Sequence, residues 1–200
     1  MTESINQAIE KIRSFGGAFR TGTALRQGIH PRTLYAMRDS GILEQLSRGS
    51  YRLAEQGPLS SPDLVTVASR VPQGVLCLIS ALSFHNLTTQ IPHHVSIALG
   101  RSMRNPTIGF PPLKVYRYNE QCYQSGREEH LIDGIALNVY SPEKTLADCF
   151  KFRNKIGMDI VLEALKSYRE SSIFKIKELL QFARICRVEK IMKPYLEALL

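Results

Sequence analysis

The stretch from Phe15 to Glu55 constrains this chain more than any other, because its turn residues leave few ways to fold it. Thr21 or Thr23 is placed to cap a short helix through Ala24, Leu25, Arg26 and Gln27. Gly28 then ends that helix, since a tight turn between helices needs a positive φ that glycine adopts without steric strain. Ile29 predicts an apolar plug between two helices. Pro31 suits the first position of a second helix, where its missing N–H is no loss, and Gly41 stops that helix after Ser40. Leu34 and Met37 share the face predicted to point into a core. Arg32, Tyr35, Ala36 and Asp39 project the other way, with Thr33 on the flank. Apolar residues Ile42, Leu43 and Leu46 on one side, and Tyr51 and Leu53 on the other, bracket Arg48-Gly49-Ser50, which signals a hairpin with Arg48 at its tip. Upstream, Ile5, Ala8, Ile9 and Ile12 mark an amphipathic helix capped by Ser4 and ended by Gly16-Gly17.

Helix, turn, helix and hairpin in that order predict a winged helix-turn-helix of the kind that sits on duplex DNA. From Arg20 to Arg52 there are six arginines against two acids, with no lysine. Arginine presents the planar fork that suits guanine and phosphate. Arg32 is expected to pair bidentately with guanine in the major groove, and Thr33 to meet a phosphate or a thymine methyl. Tyr35 is expected to hold a phosphate or a base, and Arg48 to reach the minor groove or the backbone.

The net charge of +8 over 200 residues favours a polyanionic partner, and its distribution is uneven. Residues 1–57 carry eight cations and five acids, residues 58–143 six and six, and residues 144–200 twelve and seven. The basic character therefore lies at both ends, and a second basic surface on the C-terminal helices is one reading of it. Cys77, Cys122, Cys149 and Cys186 form no CxxC pair, which argues against a zinc site or a disulfide scaffold. The N-terminus has no basic-then-apolar leader, and no apolar run approaches the ~20 residues that span a bilayer. A cytoplasmic protein with no cofactor and no membrane partner is expected.

Gln56-Gly57-Pro58 and Ser60-Ser61-Pro62 mark a domain edge, so residues 1–57 are expected to form the head and residues 58–200 a second domain. In that second domain a helix is expected from Pro62 to Arg70. A buried strand follows over Gly74–Ile79, then a short helix capped by Ser80. Alternation predicts strands over His94–Leu99 and Leu113–Tyr118, separated by an Arg-, Gly- and Pro-rich loop. Glu129–Ile132 and Ile135–Tyr140 flank Asp133-Gly134, a type I′ hairpin signal. Ser141-Pro142 then opens a helical region with helices near 142–154, 157–170, 173–184 and 187–199. The fold class expected is α+β: an N-terminal winged helix-turn-helix, then a mixed α/β domain ending in a helical layer.

Three stretches together carry a kinship: the head, CLISALSFHNLTTQIPHHVSIAL from Cys77 to Leu99, and VYSPEKTLADCFKFRNKIGMDIVLEAL from Val139 to Leu165. They resemble the AbiEi-type antitoxins, the transcriptional-regulator half of type IV toxin–antitoxin systems of phage defence, over nearly the whole chain. The resemblance implies a non-enzymatic autorepressor that binds double-stranded DNA at an inverted-repeat operator in its own promoter. It also implies a functional partner, a nucleotidyltransferase-like toxin, counteracted without an obligatory tight complex. Carried onto this chain, DNA contact falls on His30, Arg32, Thr33, Tyr35 and Arg48, and Arg20, Thr21 and Ser50 complete the expected set.

Other chemistries fit less well. Asp133, Glu143 and Lys144 have the composition of a metal-dependent nuclease site, but adjacent Glu143 and Lys144 at a helix start would diverge. The plain reading has Glu143 complementing the helix N-terminus and Lys144 in solvent. His85, His93, His94 and His130 are expected to be structural or surface groups. Alternatives to the antitoxin reading are a ligand-responsive repressor without a toxin partner, which needs an enclosed apolar pocket, a DNA-targeted nuclease, and a protein-binding scaffold with a degenerate head.

Overall fold

Ile5, Ala8, Ile9 and Ile12 recur at helical spacing, and α1 (Thr2–Arg13) turns them onto the core of the N-terminal head. The computed structural model describes residues 2–199. Ser4 lies inside α1 instead of capping it, because the helix starts at Thr2, three residues earlier than expected. Beyond Gly16, at φ +75°, come β1 (Phe19–Arg20), α2 (Thr21–Arg26), α3 (Pro31–Asp39), β2 (Leu43–Ser47) and β3 (Ser50–Leu53). The strands make an antiparallel sheet in the order β1-β3-β2, with Phe19 opposite Tyr51 and Leu43 opposite Leu53.

The two short helices end in the same way. Gly28 (φ +77°) donates to the Leu25 carbonyl and Ile29 to that of Ala24; Gly41 (φ +75°) donates to Arg38 and Ile42 to Met37. Each pair of bonds satisfies carbonyls that a helix end leaves open, and the following isoleucine is drawn inward. Ile29 is buried with Leu34, Met37, Ala24 and Phe19, as the plug role requires. α2 differs from expectation at its start. Arg20 is the N-cap, and Thr21 is the first helical residue, so neither threonine caps the helix through its side chain.

Contacts group the chain up to Pro72 with residues His130–Leu137. α4 (Pro62–Arg70), which packs on β2, therefore belongs with the head, beyond the expected edge at residue 57. The turn Asp133-Gly134 has both residues at positive φ, +49° and +80°, as a type I′ hairpin demands. It sits on Gly17-Ala18, where the Ala18 amide donates to the Asp133 carbonyl at 2.6 Å.

The second unit comprises Gln73–Glu129 and the chain from Asn138 onward. Its elements are β4 (Val75–Leu76), α5 (Leu78–Phe84), β5 (Val95–Gly100), β6 (Leu113–Tyr118) and α6 (Glu120–Gln124). The hairpin β7 (Arg127–Ile132) and β8 (Ile135–Tyr140) follows, its His130–Leu137 portion belonging to the first unit, then α7 (Pro142–Lys151), α8 (Arg153–Ile156), α9 (Met158–Glu170), α10 (Ile176–Ile185) and α11 (Glu189–Leu199). The sheet order is β6-β5-β4-β8-β7; β5 runs parallel to β6 and antiparallel to β4, which runs parallel to β8. The apolar run expected as one strand over 74–79 is cut short. Leu78 adopts φ +49° and turns the chain into α5. Ser80 therefore sits within α5, not at its cap, and its hydroxyl accepts from the Ser96 amide on β5 at 2.9 Å. Ser141 does cap α7, accepting from the Lys144 amide, with Pro142 at the first position.

α7 is the central helix of this unit, contacted by α5, α9, α10 and α11. Every residue from Pro142 to Phe150 is buried, polar ones included. Among the described residues no helix is long and apolar enough to cross a membrane.

Candidate nucleic-acid interface

α3 buries Leu34 and Met37 completely and leaves His30, Arg32 and Tyr35 exposed, with Thr33 half-buried. His30 does more than precede the helix. Its Nδ1 accepts from the Arg32 amide at 3.2 Å, so the imidazole replaces the usual Ser or Asp as the N-cap. That bond fixes the ring at the mouth of a crevice also lined by Ser4, Gln7, Lys11 and Thr33. The Lys11 ammonium donates to the Gln27 carbonyl at 3.1 Å, so a cation from α1 lies beside the inter-helix turn. Lys11 stands on another element, and no local pattern in the sequence announces it as a neighbour of that turn.

Arg38 was not part of the expected set. Its guanidinium lies 5.1 Å from the centre of the Tyr35 ring and 2.6 Å from the Asp39 carboxylate. The spacing of three residues between Tyr35 and Arg38 was the available signal, because such pairs are neighbours on a helix surface.

The hairpin tip forms a second cluster. Ser47 pairs with Ser50 across a two-residue turn, which leaves Arg48 exposed at the apex. The Gly49 carbonyl accepts from both the Thr21 amide (2.9 Å) and the Thr21 hydroxyl (3.2 Å), which fastens the tip to the start of α2. Arg20 is exposed next to it and reaches the Ser69 carbonyl. Ser50 departs from expectation. It is 3% exposed and its hydroxyl has no hydrogen-bond partner, because β3 is the middle strand and Ser50 faces inward.

Residues 6–54 match the family model described as "Transcriptional regulator, AbiEi antitoxin". The AbiEi match runs from within α1 to just past β3, and so includes Lys11, Arg20, Thr21, His30, Arg32, Thr33, Tyr35, Arg38 and the hairpin tip, but neither Ser4 nor Ser69. Cys77–Leu99 and Val139–Leu165 lie outside the residues matched by the AbiEi model. No protein of curated function matches the sequence. The fold is similar to the crystal structure of the RV2827C protein from Mycobacterium tuberculosis, with a TM-score of 0.54 and 14% identity, over 88% of this chain and 69% of that one. At that identity the likeness is one of fold.

The residues weighed for a nuclease are not gathered for one. Asp133 belongs to the first unit, where its carboxylate accepts from the Ser60 amide and hydroxyl at 3.0 Å. Glu143 accepts from the Tyr168 hydroxyl at 2.5 Å. Lys144, expected in solvent, is instead wholly buried against Asp148, under the Tyr118 and Tyr140 rings. Of the histidines, His85 donates from Nε2 to the Tyr140 carbonyl at 2.7 Å. His93 is exposed and His94 half-buried before β5. Among the described residues no three His, Cys, Asp or Glu side chains cluster as a metal site needs. The four cysteines are free and buried.

Proposed function

We propose that this protein is a transcriptional autorepressor and antitoxin of a type IV toxin–antitoxin system, whose N-terminal unit acts as a winged helix on DNA. The observation that carries the reading is the outer face of α3. It is exposed, bears Arg32 and Tyr35, is braced by buried Leu34 and Met37, and lies within the AbiEi match. α3 enters the major groove with its N-terminal residues on base edges, and Arg48 at the hairpin tip grips the neighbouring backbone or minor groove. His30, Thr33, Arg20 and Thr21 hold phosphates and fix the register. Binding at an inverted repeat in the protein's own promoter blocks polymerase. The second unit counteracts a nucleotidyltransferase-like toxin in the cytoplasm. No catalytic step is assigned to this chain.

Mobility-shift titration with its promoter duplex tests the DNA reading. Arg32→Ala relaxes preference at one base pair and loses about 1–3 kcal/mol there, whereas Arg48→Ala weakens all duplexes alike. Absence of any duplex binding rejects the repressor. Co-expression with a neighbouring nucleotidyltransferase-like gene tests the antitoxin. Growth arrest that this chain does not relieve rejects that half of the proposal.

A further inference from the structure

The last turn of α3 holds an acid where two effects oppose it. Asp39 is the final helical residue, so its negative charge faces the negative end of the helix dipole. It is also largely exposed on the helix that, on the proposed function, meets a polyanion. Its partner is Arg38, whose Nε donates to Asp39 Oδ1 at 2.8 Å and whose Nη2 lies 2.6 Å from the same oxygen. The guanidinium also lies over the Tyr35 ring. An exposed ion pair of adjacent residues is worth little as a stabilising contact. Its evident effect is on Arg38 itself: a long, rotamer-rich, half-buried side chain is held by Asp39 and the Tyr35 ring and also meets the Tyr51 hydroxyl of β3, with part of its five-donor fork already occupied.

We infer that Asp39 is a positioning residue for specificity: it holds Arg38 on Tyr35, aimed at a base edge, and withholds it from phosphate. This rests on the reading of α3 as the DNA-contacting helix. A free arginine at this place reaches any phosphate and adds affinity for every sequence, while one tethered by a carboxylate contributes only where its remaining donors meet acceptors in fixed positions, as guanine offers. The carboxylate further repels a backbone that approaches out of register.

The test uses the full chain, a duplex selected by the wild-type protein from a random pool, and a scrambled duplex of equal length. Asp39→Asn is expected to tighten scrambled-duplex binding about tenfold at low salt and to steepen the salt slope by about one phosphate contact. The ratio of selected to scrambled affinity falls about tenfold. Asp39→Glu, which can still reach Arg38, restores most of that ratio. In an Arg38→Gln background the Asp39 substitution still tightens scrambled-duplex binding by removing a negative charge, but it no longer lowers the affinity ratio tenfold. A structural role for Asp39 would lower the melting temperature and weaken both duplexes together. That result overturns the inference, as does an unchanged affinity ratio in Asp39→Asn. Failure of the wild-type protein to select any duplex overturns the DNA reading instead.

Discussion

Lys144 Nζ lies 2.5 Å from Asp148 Oδ2, one helical turn away on α7, and neither side chain has any exposure. The ammonium is also 4.2 Å from the centre of the Tyr140 ring and 4.9 Å from that of Tyr118. The second Asp148 oxygen accepts from the Cys186 thiol at 3.2 Å. Each charge is thus met on several sides, which is the condition under which a buried pair is tolerated. Removing one member strands the other. Lys144→Met is expected to destabilise the protein by about 3–5 kcal/mol, and the double variant Lys144→Met/Asp148→Leu to recover most of that loss. Urea denaturation of the two variants checks it. Equal destabilisation by both contradicts the pairing argument.

Much of the head was legible because it is built from local signals. Gly28, Pro31, Gly41 and the Arg48-Gly49 turn dictate backbone geometry within a few residues, and the elements fall within a residue or two of where they point. The interior of the second unit was not legible for the opposite reason. Lys144 and Asp148 look like ordinary surface residues of a helix, and residues from distant parts of the chain bury them: Tyr118 and Tyr140 on strands cover Lys144, and Cys186 after α10 covers Asp148. The same holds at the candidate site. Arg32 and Tyr35 follow from helical period, whereas the inward turn of Ser50 depends on β1 pairing with β3 from thirty residues away.

Gly17 and Gly134 are fixed by contact between two turns. A Cβ on Gly17 would lie 2.4 Å from the Asp133 carbonyl oxygen, and one on Gly134, at φ +80°, 2.7 Å from the Ala18 amide nitrogen. Backbone atoms on both sides cannot yield as a side chain tip would. Gly17→Ala and Gly134→Ala are each expected to lose about 1–3 kcal/mol. Gly16→Ala, at φ +75° with nothing within 4 Å, should lose only about 1 kcal/mol. Thermal melts rank the three. A cost at Gly16 equal to the others would contradict the close approach.

His30 couples the stability of α3 to its proposed contact with DNA. His30→Ala removes the cap of the Arg32 amide and is expected to lose about 0.5–2 kcal/mol. His30→Asp restores a capping acceptor and suits the helix dipole, so stability returns or rises. Duplex affinity falls in that variant, since a carboxylate then faces phosphate. Parallel melting and mobility-shift measurements separate the two effects. Affinity that simply follows stability would contradict a DNA contact at this position.

Stability should fall on both sides of neutrality. Burial pushes the Cys77, Cys149 and Cys186 thiols and the Tyr118, Tyr140 and Tyr168 hydroxyls up from their usual range, with the charge of Asp148 adding to the rise for all of these but Tyr168. In the unfolded chain thiols lose protons near pH ~8.5. Above that the folded chain binds more protons than the unfolded one, so stability is lost as pH rises. His94 is shifted downward by burial, then by Lys114 and His93. Below about pH 6.5 the unfolded chain takes up a proton that the fold resists, so stability is lost as pH falls. Urea midpoints across pH should form a dome, steeper on the alkaline side, and His94→Gln should flatten the acid shoulder. A level profile from neutral pH to strongly alkaline pH contradicts the account.

The central claim is that the outer face of α3 reads the major groove, and methylation interference addresses it most directly. Methylating guanine N7 places a group on the acceptor that Arg32 would use. In the bound fraction of a partially methylated operator, the account predicts depletion of methylation at one guanine per half-site for the wild-type protein, and loss of that depletion in Arg32→Ala. Wild-type binding that tolerates N7 methylation at every guanine would contradict it.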